Sequence, residues 1–209
     1  MTAAHVPDSR YAWMRLAISL ALATISGIGL WASVVVLPTI QTEFGIDRSG
    51  ASLPYTATMM GFAVGGIVMG RMADRFGIMV PMFLGTIMLG LGFLIAALST
   101  SYWMFVVAQA VFIGLFGCAT AFGPLVADVS LWFQKRRGIA VAIVASGNYL
   151  AGAIWPPILT WGIQNHGWRN SYMALGVLTV LIMLPLSFFL RRRASLEERP
   201  SPSSTGTSL

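Results

Sequence analysis

The chain has 209 residues, of which 56% are hydrophobic and only 10% charged, with a mean hydropathy of +0.77. A soluble domain carries roughly 25% charged residues and could not bury this apolar surplus in so short a chain, so composition excludes an ordinary water-soluble enzyme and makes the lipid bilayer the solvent. Thirteen basic and seven acidic residues give a net charge of +6, but the cations fall in short runs between apolar stretches, which sets nucleic acid aside as a partner and assigns the excess to membrane orientation.

Residues 1–15 read as a polar cytoplasmic segment ending in Arg10 and Arg15, with residues 16–190 as one six-helix transmembrane domain. Crossing about 30 Å of hydrocarbon at about 1.5 Å per residue takes about 20 apolar residues. Six charge-free stretches qualify: Leu16 to Leu37, Ala51 to Gly70, Ile78 to Leu98, Trp103 to Ala127, Ile139 to Ile163 and Ser171 to Leu190. Each is expected to be helical, since unpaired amides are costly in lipid and no alternating pattern suggests a barrel; the fold class is an all-α integral membrane protein. Ala21-Leu22-Ala23 mimics a signal-peptide cleavage site, but the apolar run continues to Leu37 and reads as a retained span.

On the second span, Gly61-x-x-x-Gly65 and Gly66-x-x-x-Gly70 put small residues one turn apart, where a neighbouring backbone can approach. Gly70 to Gly77 then forms the whole link to the third span, a tight turn with a glycine at each end. Asp74 could cap a helix there and Arg75 bridge to a carboxylate, unless the stretch is an ordinary charged loop. Cys118, the single cysteine, reads as a small buried hydrophobe in span four. Lys135, Arg136 and Arg137 form a basic loop before span five, where Pro156-Pro157 predicts a kink. From Arg191 to Leu209 the chain turns polar and Pro/Ser-rich, the composition of a disordered tail.

The cations flanking the six spans set orientation. Arg10, Arg15, Arg71, Arg75, Lys135 to Arg137, Arg191 to Arg193 and Arg199 lie on one side, against Arg48 and Arg169 on the other. The positive-inside rule places both termini in the cytoplasm of a multi-pass protein of the plasma or inner membrane. No span carries an internal charge, and His5 and His166 lie outside all six. No catalytic group, metal site or cofactor is expected. An intramembrane serine protease is the enzymatic rival, but Val144-Ala145-Ser146-Gly147 fails the first position of its G-x-S-G pattern.

Gly70-Arg71-Met72-Ala73-Asp74-Arg75-Phe76-Gly77 resembles the G-x-x-x-D-R-x-G signature between helices two and three of the major facilitator superfamily, in that same loop. Trp132-Phe133-Gln134-Lys135-Arg136-Arg137-Gly138-Ile139-Ala140 with Gly147, and Gly167-Trp168-Arg169 before span six, resemble segments of monocarboxylate and oxalate/formate porters. The resemblance covers about Leu16 to Leu190 and implies the amino-terminal half of a secondary transporter working by alternating access, with a monocarboxylate or other organic anion as solute. It also implies that Asp74 docks on a second half and that Asp128 is its electrostatic partner. Members often carry an arginine early in helix four, where Gln109 and Ala110 stand here.

One half alone would expose its cavity face, so the expected partners are the lipid bilayer, a small solute and a second six-helix half, either a separate chain or a second copy. The alternative is a truncated or partner-dependent membrane protein without transport of its own. Candidate cavity residues are Trp31, Gln109, Asn148 and Tyr149, with Trp155 read equally as an interfacial anchor. Asn148 sits about ten residues, some 15 Å, into its span, where an unpaired amide is unfavourable and a bond between helices is the competing role.

Overall fold

A computed structural model describes residues 9–191. The expectations for residues 1–8 and for the tail beyond Arg191 lie outside the described residues. Six helices are long and apolar enough to cross a membrane: α1 (Arg10–Phe44), α2 (Arg48–Phe76), α3 (Met79–Ala97), α4 (Tyr102–Trp132), α5 (Arg137–His166) and α6 (Trp168–Phe189). All regular structure among the described residues is helical.

Local chemistry explains where the helices start and stop. Ser9 caps α1 by accepting from the Ala12 amide, and α1 ends where Gly45 takes a left-handed conformation at φ +60°. Asp47 caps α2 by accepting from the Gly50 amide at 2.8 Å. The Ser49 hydroxyl, then that amide, hold the Asp47 carboxyl below its ordinary value.

Several helices run beyond the apolar stretches of the sequence reading, and three of these extensions bear on the site. The helix α1 begins at Arg10, so Arg15 lies inside it; α4 runs on to Trp132, so Asp128 lies inside it. Likewise α2 continues past Gly70 to Phe76, and the turn into α3 shrinks to Gly77 and Ile78. Gly77 supplies the unusual backbone at φ +85°, whereas Gly70 is ordinarily helical. Charged residues stay helical here because each terminal turn is either exposed or internally paired.

The packing follows from where small residues fall. A Cβ on Gly61 would lie 2.1 Å from the Ala110 carbonyl oxygen, and one on Gly65 2.0 Å from that of Leu115, so α2 presses backbone to backbone on α4. Gly66 and Gly70 meet nothing within 4 Å. Of the two small-residue pairs, the first admits a neighbour and the second faces outward. Gly90 and Gly176 likewise bring α3 and α6 together. Gly27 and Gly147 join α1 to α5, their would-be Cβ atoms lying 2.6 Å from the Ala151 Cβ and 2.7 Å from the Ala23 Cβ.

Three helices carry irregular backbone. The α-helical pattern of α1 is interrupted at Gly27 and that of α5 at Ser146, while α4 is π-helical over Ala108–Gly117 and 3₁₀-helical over Cys118–Ala121. Gly147–His166 stays helical through Pro156-Pro157.

Candidate functional site

Both ends of the bundle are tied by charge. At the end carrying Ser9 and Arg191, Arg15 and Asp128 form a bidentate pair, Nε to Oδ2 at 2.7 Å and Nη2 to Oδ1 at 2.8 Å. The guanidinium also donates to the Leu190 carbonyl at 3.2 Å and lies 4.7 Å from the centroid of the Trp132 ring. Arg15 is 1% exposed and Asp128 9%. One buried cation thus joins α1, α4 and the end of α6, and the desolvation of each charge is offset by the other and by extra hydrogen bonds. Sequence reasoning treats Arg15 as a flanking surface cation; the structure buries it.

Asp74 lies exposed in the last turn of α2 and makes no hydrogen bond or ion pair among the described residues. It caps no helix, and Asp128 is paired with Arg15 instead of lying against it. Arg75 stacks on Phe76, 5.2 Å from the ring centroid, and forms no carboxylate bridge among the described residues. Lys135, Arg136 and Arg137 are exposed on the connection between α4 and α5, where Arg137 donates to the Ser130 hydroxyl at 3.3 Å.

At the opposite end, Gly167 turns the chain at φ +79° and delivers Trp168 and Arg169 onto α1 and α3. The Trp168 indole donates to Glu43 Oε2, while Arg169 donates to Glu43 Oε1 and to the Ala97 carbonyl, both at 2.6 Å. The Gly-Trp-Arg triplet is therefore a staple across three helices.

Between these ties, Gln109 is fully buried in a polar network. Its Oε1 accepts from the Ser33 hydroxyl at 3.0 Å, its Nε2 donates to the Tyr172 hydroxyl at 3.2 Å, and Tyr172 donates to the Ala32 carbonyl at 3.1 Å. The side chain expected to line a cavity instead bonds α1, α4 and α6 in the core. Trp155 donates to the Thr24 carbonyl at 2.7 Å and so ties α5 to α1. Tyr149 is 79% exposed on α5 and lines neither recess described next.

Two adjoining recesses share Asn148. One is a small cleft open to the outside, lined by Leu30, Trp31, Val34, Tyr55, Met59 and Asn148. The other, smaller still, reaches Ser26, Gly27, Phe62, Cys118 and Phe122. They lie where the irregular stretches of α1, α4 and α5 converge, as expected when non-regular backbone at membrane depth borders a cavity. Trp31 is fixed by donating to the Asn148 carbonyl at 3.4 Å, and its ring occupies the space over Gly152, where a Cβ would lie 2.4 Å from Cζ2. The Asn148 carboxamide and the Tyr55 hydroxyl make no hydrogen bond among the described residues. Of the four expected cavity residues the structure brings together Trp31 and Asn148. It adds Tyr55, Met59, Phe62, Cys118 and Phe122, whose letters look like ordinary span residues; only the lone phenol early in the second span could have signalled a site.

A sequence model of the Major Facilitator Superfamily matches residues 19–208. An MFS-type transporter from Ophiocordyceps sp. is 32% identical over 69% of this chain and 32% of its own length. An agnestins efflux protein from Paecilomyces divaricatus is 29% identical over 87% of this chain and 42% of its own length. A 4-hydroxybenzoate transporter from Acinetobacter baylyi is 28% identical over 88% of this chain and 40% of its own length. The chain thus spans less than half the length of these relatives.

Proposed function

The chain belongs to the Major Facilitator Superfamily, and from that premise we propose that it is one six-helix half of a secondary transporter moving a small organic solute, a monocarboxylate or related organic anion, by alternating access. The observation that carries the proposal is the half-buried Asn148 carboxamide: a polar group without a hydrogen-bond partner among the described residues, bordering a recess where three helices are irregular. Such a group at membrane depth is unfavourable unless something else satisfies it, and a solute does so transiently. The relatives named for efflux and for 4-hydroxybenzoate support a small organic cargo.

A second six-helix unit completes the cavity in this reading. The most apolar stretches of α2 and α5 are each only 22% buried, against 59% in α4. Met60, Val64 and Ile67 on α2, with Tyr149, Ile154 and Trp161 on α5, are among the large apolar side chains left exposed, and in this reading they meet the second unit. Asp74, exposed and unpaired, docks on that second unit and favours the outward-facing state, with both termini cytoplasmic by the charge bias of the loops. No covalent chemistry is required.

Uptake of labelled 4-hydroxybenzoate and small aliphatic monocarboxylates tests the proposal in two settings, proteoliposomes over a range of protein concentrations and native membranes expressing the chain. Saturable uptake is expected, lowered about tenfold by Asn148→Ala. Uptake confined to native membranes identifies a chain that works only with a separate partner. Absence of uptake in both settings overturns the transporter reading.

A further inference from the structure

We infer that the recess at Asn148 recognises the uncharged, hydroxylated aromatic end of the solute and leaves the charged group to be met outside this chain's recess; the inference rests on the transport reading above. The recess contains no charged side chain. Among the described residues the one buried cation is Arg15, already held by both oxygens of Asp128. It stands sixteen residues, about 24 Å, from Trp31 along α1. A carboxylate placed against Leu30, Val34 and Met59 would therefore exchange part of its hydration for apolar contacts with no counter-ion in reach, which is unfavourable.

What the recess offers instead is matched to a phenol or an aryl alcohol. The Trp31 indole is immobilised by its bond to the Asn148 carbonyl and by contact with Gly152, so it presents a fixed ring to an incoming ring. The Asn148 carboxamide has both a donor and an acceptor to spare, and the Tyr55 hydroxyl can supply either. A solute hydroxyl, which donates and accepts at once, satisfies this pair, whereas a carboxylate can only accept. Apolar Leu30, Val34 and Met59 complete the walls. A site built to bond a hydroxyl discriminates against an analogue lacking it, because its own polar groups are then left unpaired.

Equilibrium titration of the purified full chain in detergent with 4-hydroxybenzoate, its methyl ester and methyl 4-methoxybenzoate tests this. The acid and its ester are expected to bind within about threefold of one another, and the methoxy compound about tenfold more weakly. Asn148→Leu is expected to erase the preference for hydroxyl over methoxy and to report partitioning into the micelle; Tyr55→Phe, which removes a single atom, is expected to reduce it. Acid bound more than about tenfold tighter than ester would show that charge is read here and overturn the inference. Equal binding of hydroxy and methoxy esters, or no binding sensitive to Asn148, also overturns it. Uptake of labelled 4-hydroxybenzoate measured in parallel separates the two readings: uptake without Asn148-dependent discrimination defeats this inference alone, and binding without uptake defeats the transporter.

Discussion

Arg15 is nearly the largest desolvated group this chain could carry, and its stability depends on a partner 113 positions away. Asp128→Asn keeps the shape and removes the charge, leaving a buried guanidinium uncompensated. It is expected to lower stability by about 3–5 kcal/mol in thermal unfolding in detergent. The double change Arg15→Leu with Asp128→Leu should recover most of that loss, because an apolar pair of similar volume avoids both desolvation penalties. Gln109→Leu should cost only about 1 kcal/mol by the same measurement. Ser33 keeps its bond to the Gly29 carbonyl and Tyr172 its bond to Ala32 when Gln109 is removed. None of these pairings could be read from the sequence. Arg15 and Asp128 each stand one residue outside an apolar run, and the letters do not say that the two flanks meet.

Along the helices the sequence was more informative, because burial in lipid requires long charge-free runs and six of them are plain. Their ends were obscured where a charge is satisfied internally, as at Arg15, or simply exposed, as at Arg71 and Asp74. Rotation about the axis was obscured too. Gly61-x-x-x-Gly65 and Gly66-x-x-x-Gly70 are the same pattern, but one residue of offset turns a helix by about 100°. Opposite outcomes are expected for neighbouring substitutions. Gly65→Ala puts a methyl into the Leu115 carbonyl and should destabilise by about 1–3 kcal/mol or prevent folding. Gly66→Ala enters open space and should stabilise the isolated chain by up to about 1 kcal/mol through helix propensity. Paired thermal melts in detergent check both, and equal shifts would mean that α2 is rotated from the position described.

For the molecule as a whole, the family was legible in Gly70 to Gly77, and that stretch also carries the motif residue with the least to do in this structure. Asp74→Asn is expected to leave thermal stability of the isolated chain unchanged while shifting the balance of states in native membranes, read as altered uptake. A cysteine replacing Tyr149 should react readily with a water-soluble maleimide on the purified chain and be protected in native membranes if a second unit covers α5. Buried Cys118 supplies a silent background. Labelling to the same extent in both settings would leave that face uncovered. The staples at the two rims bear on mechanics as well. With α1 riveted to α6 near both extremities, the two helices are coupled at each rim even though α1 is interrupted at Gly27 between the rivets, so on the transporter reading a displacement at one rim is passed to the other. Unpinning Glu43 from Arg169, for instance by Glu43→Gln, should therefore slow turnover while leaving the apparent affinity for cargo intact, as a slack lever still grips its load but no longer lifts it cleanly.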